Sequence, residues 1–514
     1  MRWRACTLLI CTVTATGESL SRARELDAAA VAGQIDRHIE DRLQAEKIRP
    51  AGQADDAEFI RRVYLDLHGT IPSADQVSRF LADAAPTKRE KSIDALLGSS
   101  RYGEYLADVW QSYLVSPLAD DLRVRSERFR EWLAGRFNTK SWDRIVFDLL
   151  TAIGKIEENP AVIYLIEGRL PRSVPDLTDL TTRYFLGIRL NCAQCHDHPF
   201  VKWTQQDYWG MAAFLTQIQT PGKPKLVYQV GIKDYPDITL STLQKDGMLD
   251  GFVSRPPTFL GGEQLQKGDQ TTNRAALAAW MTSPKNPYFA RATVNRIWWR
   301  FFGRGLVRPV DDMHAANLAS HPELLEMLSK AFVQSGFDLK FLCRAIVLSR
   351  AYQRTSRPGD ASEKQAELFG RMSVKVLSAG QLYDSLVSAL GPPAREKGVD
   401  ARLGPRPEFT QFFAEDGDPD PTSYRRGIPH LLRLMNSQQF SGRSLTTLAA
   451  RLATRDRSPD ELAQDLFLTI LSRHPTTQEL QQFRNHLKDS ASAEIASSEW
   501  AWALMMTSEF SLNH

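Results

Sequence analysis

The sequence predicts a mainly α-helical protein in which two helical domains flank a small β-containing insertion. Apolar residues recur at three- and four-residue spacing over long stretches, as they do on the buried face of a helix. One region rich in proline and glycine interrupts this pattern near the middle of the chain. The 514 residues exceed what one hydrophobic core usually holds, so more than one domain is expected.

Residues 1–25 have the order of features found in a secretory signal. Arg2 and Arg4 precede an apolar stretch at residues 5–13, and small residues such as Ala15 and Gly17 follow it. An irregular N-terminus of a cytosolic protein is the alternative. We expect the signal to be removed and the mature protein to be secreted or periplasmic. Elsewhere no apolar run approaches the roughly 20 residues that span a bilayer, so no transmembrane segment is expected.

Residues 28–216 are predicted to form the first helical domain. Phe59, Val63 and Leu67 have the spacing of one helix face. Ser73 is followed three residues later by Gln76, which is the pattern of a capping box. A helix should therefore end near residue 68 and another should begin near residue 74.

Residues 217–273 are predicted to be the β-containing insertion or linker. Five prolines and the pair Gly261-Gly262 would break helices here. The short runs at residues 225–232 and 251–253 have the composition of strands.

Residues 274–514 are predicted to form the second helical domain. The helical pattern returns at residue 274, and a loop that enters a helix is expected around Ser320, with Ser320 as the cap. A proline- and glycine-rich stretch at residues 391–429 separates the last helices. Ser458 with Glu461, and then Thr476 with Glu479, predict two helix starts of the capping-box type.

The charge and the cysteine content exclude some classes of protein. The 64 Lys and Arg nearly balance the 61 Asp and Glu, and basic residues are interspersed with acidic ones, so no nucleic-acid partner is expected. Five cysteines are too few for a disulfide scaffold. After signal removal only Cys192, Cys195 and Cys343 would remain.

The segment Cys192-Ala193-Gln194-Cys195-His196 predicts a covalent haem c attachment site. Two thiols three residues apart can bond to the two vinyl groups of a haem, and the adjacent imidazole can then ligate the iron. Export agrees with this prediction, because haem c is attached outside the cytoplasmic membrane. Nearby aromatic residues could wall a pocket or belong to the core; they are Tyr184, Phe185, Phe200, Trp203, Tyr208 and Trp209.

Two other kinds of site compete with haem at this segment. Cys192, Cys195 and His198 have spacing that suits zinc, with a fourth ligand from elsewhere. Alternatively, the two thiols could form a local disulfide or lie buried as free thiols. The protein would then be a secreted binding or structural protein. A metal-dependent hydrolase is a third possibility, in which His198 and the pair Asp311-Asp312 would supply ligands or a base.

A second iron ligand on the opposite face of a haem would have to come from a distant part of the chain. His198 lies two residues from His196 and cannot reach that face. Met313, His314 and His321 have suitable chemistry as ligands. Their alternative role is structural, in a loop that leads into a helix.

Several segments resemble planctomycete secreted proteins that carry the cytochrome-c-associated domain of unknown function followed by its partner, PSD-type domain of unknown function. The matching segments are CAQCHDHPF at residues 192–200, NPYFA at 286–290, VNRIW at 294–298, FGRGLV at 302–307, SHPELL at 320–325, SRAYQR at 349–354 and SEF at 508–510. The resemblance covers nearly the whole chain after the signal. It implies two domains and an extracytoplasmic location.

The same resemblance implies neither an activity nor catalytic residues. Many members of the family carry a separate haem domain upstream, and we expect none here because only 25 residues precede Leu26. The haem prediction therefore rests on the motif at residues 192–196. The physiological role and the redox or protein partner stay open.

Overall fold

A computed structural model of the protein describes most of the chain. The described residues are 26–115, 123–167, 170–221, 230–245, 254–266, 272–357, 363–391, 405–413, 421–422, 440, 443–453 and 457–514. The predicted signal at residues 1–25 and the predicted strand at residues 251–253 lie outside them.

The described part of the chain is mainly α-helical, which confirms the predicted fold class. The helices are α1 (Ala28–Ala45), α2 (Asp56–His68), α3 (Ala74–Ala82), α4 (Lys88–Gly98), α5 (Ser100–Leu114), α6 (Arg123–Thr139), α7 (Trp142–Leu150), α8 (Val174–Leu186), α9 (Gln205–Ala212), α10 (Leu240–Lys245), α11 (Asn273–Met281), α12 (Phe289–Phe302), α13 (Pro322–Gln334), α14 (Leu339–Leu348), α15 (Glu363–Glu367), α16 (Ala379–Leu390), α17 (Pro405–Phe412), α18 (Arg443–Ala453), α19 (Pro459–Ile470), α20 (Thr477–Asp489), α21 (Ala493–Met505) and α22 (Ser508–Ser511). Three short 3-10 helices span Pro160–Leu165, Asn191–Gln194 and Ala213–Leu215.

The strands are short and form small antiparallel sheets. They are β1 (Gly154–Lys155), β2 (Ile166–Glu167), β3 (Leu170–Pro171), β4 (Ile218–Gln219), β5 (Gly231–Asp234), β6 (Lys375–Val376) and β7 (Leu512–Asn513). The sheet of the insertion has the order β1-β5-β4, with Gly154 opposite Ile232. The insertion therefore contains β structure as predicted, but its described strand β5 begins at residue 231 and also pairs with β1, a segment of the preceding helical region.

The local sequence signals for helix starts have the expected geometry. Ser73 and Gln76 form the capping box of α3, and the two later boxes begin α19 and α20. Residue 321, not Ser320, is the N-cap of α13, and its side chain makes no capping hydrogen bond. The expected cap at Ser320 was thus wrong by one residue, since Pro322 occupies the first helical position and fixes the register.

Most of the apolar side chains belong to one large core that extends from α1 to α14. Trp142 lies near its centre, with ring centroids 4.3 Å from Trp110, 5.9 Å from Phe185 and 6.4 Å from Phe289. All four side chains are buried. This core takes side chains from both predicted helical domains, and the predicted boundaries of those domains stay a prediction.

A second apolar core lies among the C-terminal helices. It includes Leu386 of α16, Phe409 of α17, Leu466 of α19 and Phe483 of α20. Leu65 of α2 also belongs to it, whereas Phe59 and Val63 on other faces of α2 belong to the larger core. Helix α2 therefore joins the two cores.

Helix α2 also carries a buried carboxylate that holds distant parts of the chain together. Asp66 is 7% exposed and accepts hydrogen bonds from the Tyr352 hydroxyl at 2.9 Å, from Lys375 Nζ at 2.6 Å and from Asn513 Nδ2 at 2.8 Å. The Lys375 ammonium is buried as well, and it also donates to the carbonyls of residues 300 and 301. Each buried charge thus has an opposite charge and polar partners, which is the condition for stable burial.

Two adjacent arginines of α2 are buried in the same region. Arg62 is fully buried, forms an ion pair with Glu58, and donates to the carbonyls of Tyr352 and Arg354 at 2.8 Å. Arg61 donates to backbone carbonyls at the C-terminal end of the chain, including that of Phe510 at 2.8 Å. These bonds attach the last helices and β7 to α2.

Among the described residues, every helix is too short or too polar to cross a lipid bilayer.

Candidate functional site

The cysteine-histidine segment forms a short 3-10 turn, Asn191–Gln194, between α8 and α9. Gly187 ends α8 in the left-handed conformation, with φ of 68°. The turn is attached to the core by Ala193, which is completely buried, and by the Gln194 carbonyl, which accepts hydrogen bonds from Gln205 Nε2 and Trp209 Nε1 at 3.1 Å. The backbone of the motif is therefore fixed against α9.

The two thiols of the motif face solvent. Cys192 and Cys195 are both free and exposed, although Ala193 between them is buried. Cys343, in contrast, is buried beside the Tyr102 hydroxyl, and burial raises the pKa of its thiol to about 12. A thiol that stays protonated in the core is inert, so chemistry at sulfur is accessible at Cys192 and Cys195 and not at Cys343.

The hydrogen bond of His196 leaves one ring nitrogen available as a ligand. His196 Nδ1 lies 2.8 Å from the Asp197 carbonyl oxygen. A carbonyl only accepts hydrogen bonds, so Nδ1 is the donor and Nε2 of the neutral ring carries the lone pair. Metal-bound histidines commonly have this arrangement, in which a backbone carbonyl fixes the orientation of the ring.

His198 has the opposite arrangement. Its Nδ1 accepts a hydrogen bond from the Phe200 backbone N–H at 3.2 Å, and the backbone N–H of His198 donates to the Trp203 carbonyl at 2.8 Å. In the neutral ring the proton is therefore on Nε2, which has no lone pair to offer a metal. Within the described ranges, no three Cys, His, Asp or Glu side chains converge in a way that could hold a metal ion.

The aromatic residues around the motif divide into core and surface. Five of them are buried: Tyr184, Phe185, Trp203, Tyr208 and Trp209. Phe200 is 85% exposed, and its ring lies edge-on to His198 with centroids 6.3 Å apart. The five belong to the core beneath the turn, and Phe200 projects from the loop that follows it.

A loop from the second helical region is attached to the segment that leads into the motif. Asp311 is completely buried and forms ion pairs with Arg183 of α8 and with Arg189, whose Nη2 lies 2.6 Å from Oδ1. Two residues later, the Met313 N–H donates to the Gly187 carbonyl at 2.8 Å. The structure thereby brings residues 311–313 next to residues 183–189, only three residues before Cys192.

The Asp311 carboxylate serves this attachment and is not free to act as a metal ligand or a base. Burial alone would raise the pKa of Asp311, but the hydrogen bonds and charges of Arg183 and Arg189 outweigh it and hold the pKa below 3.8. Both carboxylate oxygens accept from these arginines. The role considered for Asp311 in a hydrolase is therefore not supported.

His314 follows Met313 on the same loop and is mostly buried. Its Nε2 lies 3.7 Å from Asp312 Oδ2, and its Nδ1 is buried without a hydrogen-bond partner among the described residues. Asn317 closes the loop, because its side chain donates to the Asp312 carbonyl at 2.7 Å and its backbone N–H donates to the His314 carbonyl at 3.0 Å.

His321 lies in a different environment from His314. It is 4% exposed, its Nδ1 is 3.1 Å from Ser320 Oγ, and its ring centroid is 5.4 Å from that of Phe369. Burial, together with the charges of Arg42 and His38 on α1, lowers the pKa of His321 to about 4. None of these contacts places His321 at the cysteine-histidine turn, so its surroundings are those of a core residue.

The donor set of the turn fits covalent haem attachment. The two exposed thiols can be approached from solvent, and His196 Nε2 carries a lone pair beside them. The fold and the site together define a mainly helical protein with an exposed CxxCH turn fixed between two packed helices.

The chain belongs to the proteins in which two particular domains of unknown function follow one another. Residues 34–220 match PSCyt2, described as a protein of unknown function (DUF1549), and residues 273–430 match PSD1, described as a protein of unknown function (DUF1553). The CxxCH turn lies in the first match and the loop with His314 in the second. No curated protein and no solved structure matches the chain.

Proposed function

We propose that this protein is an exported haem c protein in which Cys192 and Cys195 hold the haem covalently and His196 ligates its iron. Its function would be electron transfer or haem-dependent redox chemistry with a protein partner that is not yet identified. The observation that carries the proposal is the pair of exposed thiols beside an imidazole whose Nδ1–H is already bonded to the Asp197 carbonyl.

The attachment step balances without an added oxidant or reductant. Each thiol S–H adds across one vinyl C=C bond of the haem: the sulfur bonds to the inner vinyl carbon and the hydrogen goes to the terminal carbon. No group leaves, and each vinyl becomes a thioether-bearing ethyl group. The bound haem supplies the redox-active iron.

The competing functions have less support. A zinc site with His198 would need Nε2 of that residue to lose its proton or Nδ1 to give up the Phe200 N–H. A hydrolase that used Asp311 would need a carboxylate now paired with two arginines. A local disulfide between Cys192 and Cys195 remains the main alternative, because both thiols are free and exposed.

Production in a host that attaches haem c, with export to the periplasm, tests the proposal. We expect a Soret absorption band and a denatured mass increased by one haem. Cys192→Ser/Cys195→Ser should lack the covalent haem, whereas the matched variant Cys343→Ser should keep it. A wild-type protein with no Soret band and an unmodified mass would end the haem proposal, and a mass lower by two hydrogens would assign a disulfide instead.

A further inference from the structure

We infer that Asp197 and Gln205 are positioning residues for His196. Together they form a clasp that holds the turn against the start of α9 and keeps the neutral His196 ring in its Nδ1–H form. The clasp thereby sets which ring nitrogen the protein offers as a ligand, and in that respect the inference rests on the proposed function.

The clasp binds the chain on both sides of His196. The Gln205 backbone N–H donates to Asp197 Oδ1 at 2.8 Å. The Gln205 side chain donates to residues on the other side, from Nε2 to the carbonyls of Gln194 and Cys195 at 3.1 Å each. One residue of α9 therefore fixes the residues immediately before and after His196.

The clasp has a fixed support in α9. Gln205 is the first residue of this helix, and Thr204 and Asp207 form its capping box, with hydrogen bonds of 2.9 Å and 3.1 Å. The helix dipole favours a carboxylate at this end, which suits Asp197. One turn further along, the buried Trp209 donates from Nε1 to a carbonyl of the turn at 3.1 Å. The turn is therefore attached to an element that the fold already holds in place.

The His196 ring depends on Asp197 for its orientation. The ring is exposed, and among the described residues its polar contact is the Asp197 carbonyl oxygen, 2.8 Å from Nδ1. An exposed ring bonded only to water would populate both neutral tautomers. Because the Asp197 carboxylate is bonded to α9, the carbonyl of the same residue is held beside Nδ1 and keeps the proton there. Nε2 then has the lone pair, as in metal-bound histidines whose other nitrogen donates to a backbone carbonyl.

His198 provides an internal reference for this effect. Its Nδ1 accepts the Phe200 N–H, so its neutral ring carries the proton on Nε2. The hydrogen bonds of the clasp do not involve the His198 ring. A change confined to His196 is therefore the sign of positioning, whereas an equal change at both histidines would show that the whole turn had unfolded and would overturn the inference.

Nitrogen NMR of the full, haem-free chain labelled at histidine tests the inference, at a pH where both rings are neutral. In the wild type we expect the proton on Nδ1 of His196 and on Nε2 of His198. Asp197→Ala should lower the ratio of the Nδ1–H form to the Nε2–H form of His196 about fivefold, which is the scale of one lost hydrogen bond. Asp197→Asn should keep the wild-type ratio, because its amide oxygen still accepts from the Gln205 N–H.

Variants of α9 complete the test. Gln205→Ala loses the two side-chain bonds but keeps its backbone N–H, so it should lower the same ratio about twofold. The matched control is Gln206→Ala, because this exposed neighbour is bonded to Arg255 and not to the turn, and its loss should change neither ring.

Two further results would overturn the inference. One is an unchanged His196 ratio in Asp197→Ala. The other is an equal fall in Asp197→Asn, which would assign the effect to the lost negative charge and not to the position of the carbonyl. The chain carries no haem in these measurements, so their result is separate from the outcome of the haem proposal.

Discussion

Helix α2 and the cysteine-histidine turn are both rich in polar residues, but those of α2 are buried and those of the turn are mostly exposed. In α2, Glu58, Arg61, Arg62 and Asp66 are each at most 7% exposed, and their hydrogen bonds reach the C-terminal end of the chain. In the turn the two thiols and His196 are exposed, and their side chains have few protein partners.

The difference teaches which polar residues maintain the fold and which are available for chemistry. A buried charge needs opposite charges and hydrogen bonds on several sides, and α2 obtains them from residues hundreds of positions away. A ligand or nucleophile needs a lone pair that the protein does not already use, which describes His196 Nε2. The two regions differ in how many hydrogen bonds and ion pairs their polar side chains form within the protein, more than in which residue types they contain.

The largest expected effect is on α2. Asp66→Ala leaves the Lys375 ammonium buried without its counter-charge, so the free energy of unfolding should fall by about 3–5 kcal/mol. Urea unfolding followed by circular dichroism measures this. The control Asp460→Ala removes an ion pair whose two side chains are 38% and 43% exposed, and it should lower the free energy of unfolding far less than Asp66→Ala. Equal losses in the two variants would contradict the comparison.

The next effect is a pH dependence caused by His321. Its folded-state pKa of about 4 lies below the ordinary value of 6.5, so the unfolded chain binds the proton first and stability is lost as pH falls from 6.5 to 4. The loss should approach about 3 kcal/mol, and His321→Leu should remove that part of the slope. The exposed His474→Leu is the control and should keep the wild-type slope, as measured by urea unfolding from pH 8 to pH 4.

A smaller effect is expected at Asp311, which attaches the loop at residues 311–313 to the segment that leads into the turn. Asp311→Asn should lower the free energy of unfolding by about 1–3 kcal/mol at pH 7, because Arg183 and Arg189 lose their counter-charge. The effect stays moderate because the two arginine side chains are 25% and 41% exposed, so water screens their charges. The carboxylate has a lowered pKa, so its contribution is present above pH 3.8 and disappears as pH falls below that value. Unfolding at pH 7 and at pH 3 measures this, and a pH-independent difference would contradict it.

The smallest effect is expected in the turn itself. In the haem-free chain, Cys192→Ser/Cys195→Ser should change the free energy of unfolding by no more than about 0.5 kcal/mol, since both side chains are exposed. Cys343→Ser, which places a hydroxyl in the core, should cost more. A large loss from the double variant would show that the thiols support the fold, and the contrast with α2 would then fail.

The sequence by itself determined the helical class, three of the capping boxes and the position of the CxxCH motif. Periodicity and caps act over three or four residues, so they can be predicted from neighbouring letters, as at Ser73 and Gln76. The CxxCH spacing is local in the same sense, and the structure places those residues in one exposed turn.

Only the tertiary structure decided which polar residues are buried and which distant segments meet. Tyr352 and Asp66 are 286 residues apart, and Arg189 and Asp311 are 122 apart, so no short-range pattern encodes their contacts. The same holds for the ring hydrogen bonds that leave a lone pair on His196 Nε2 but not on His198 Nε2. It also holds for the different surroundings of His314 and His321. A hydrogen bond is set by where a neighbour's donor or acceptor stands, and that position exists only after the chain has packed.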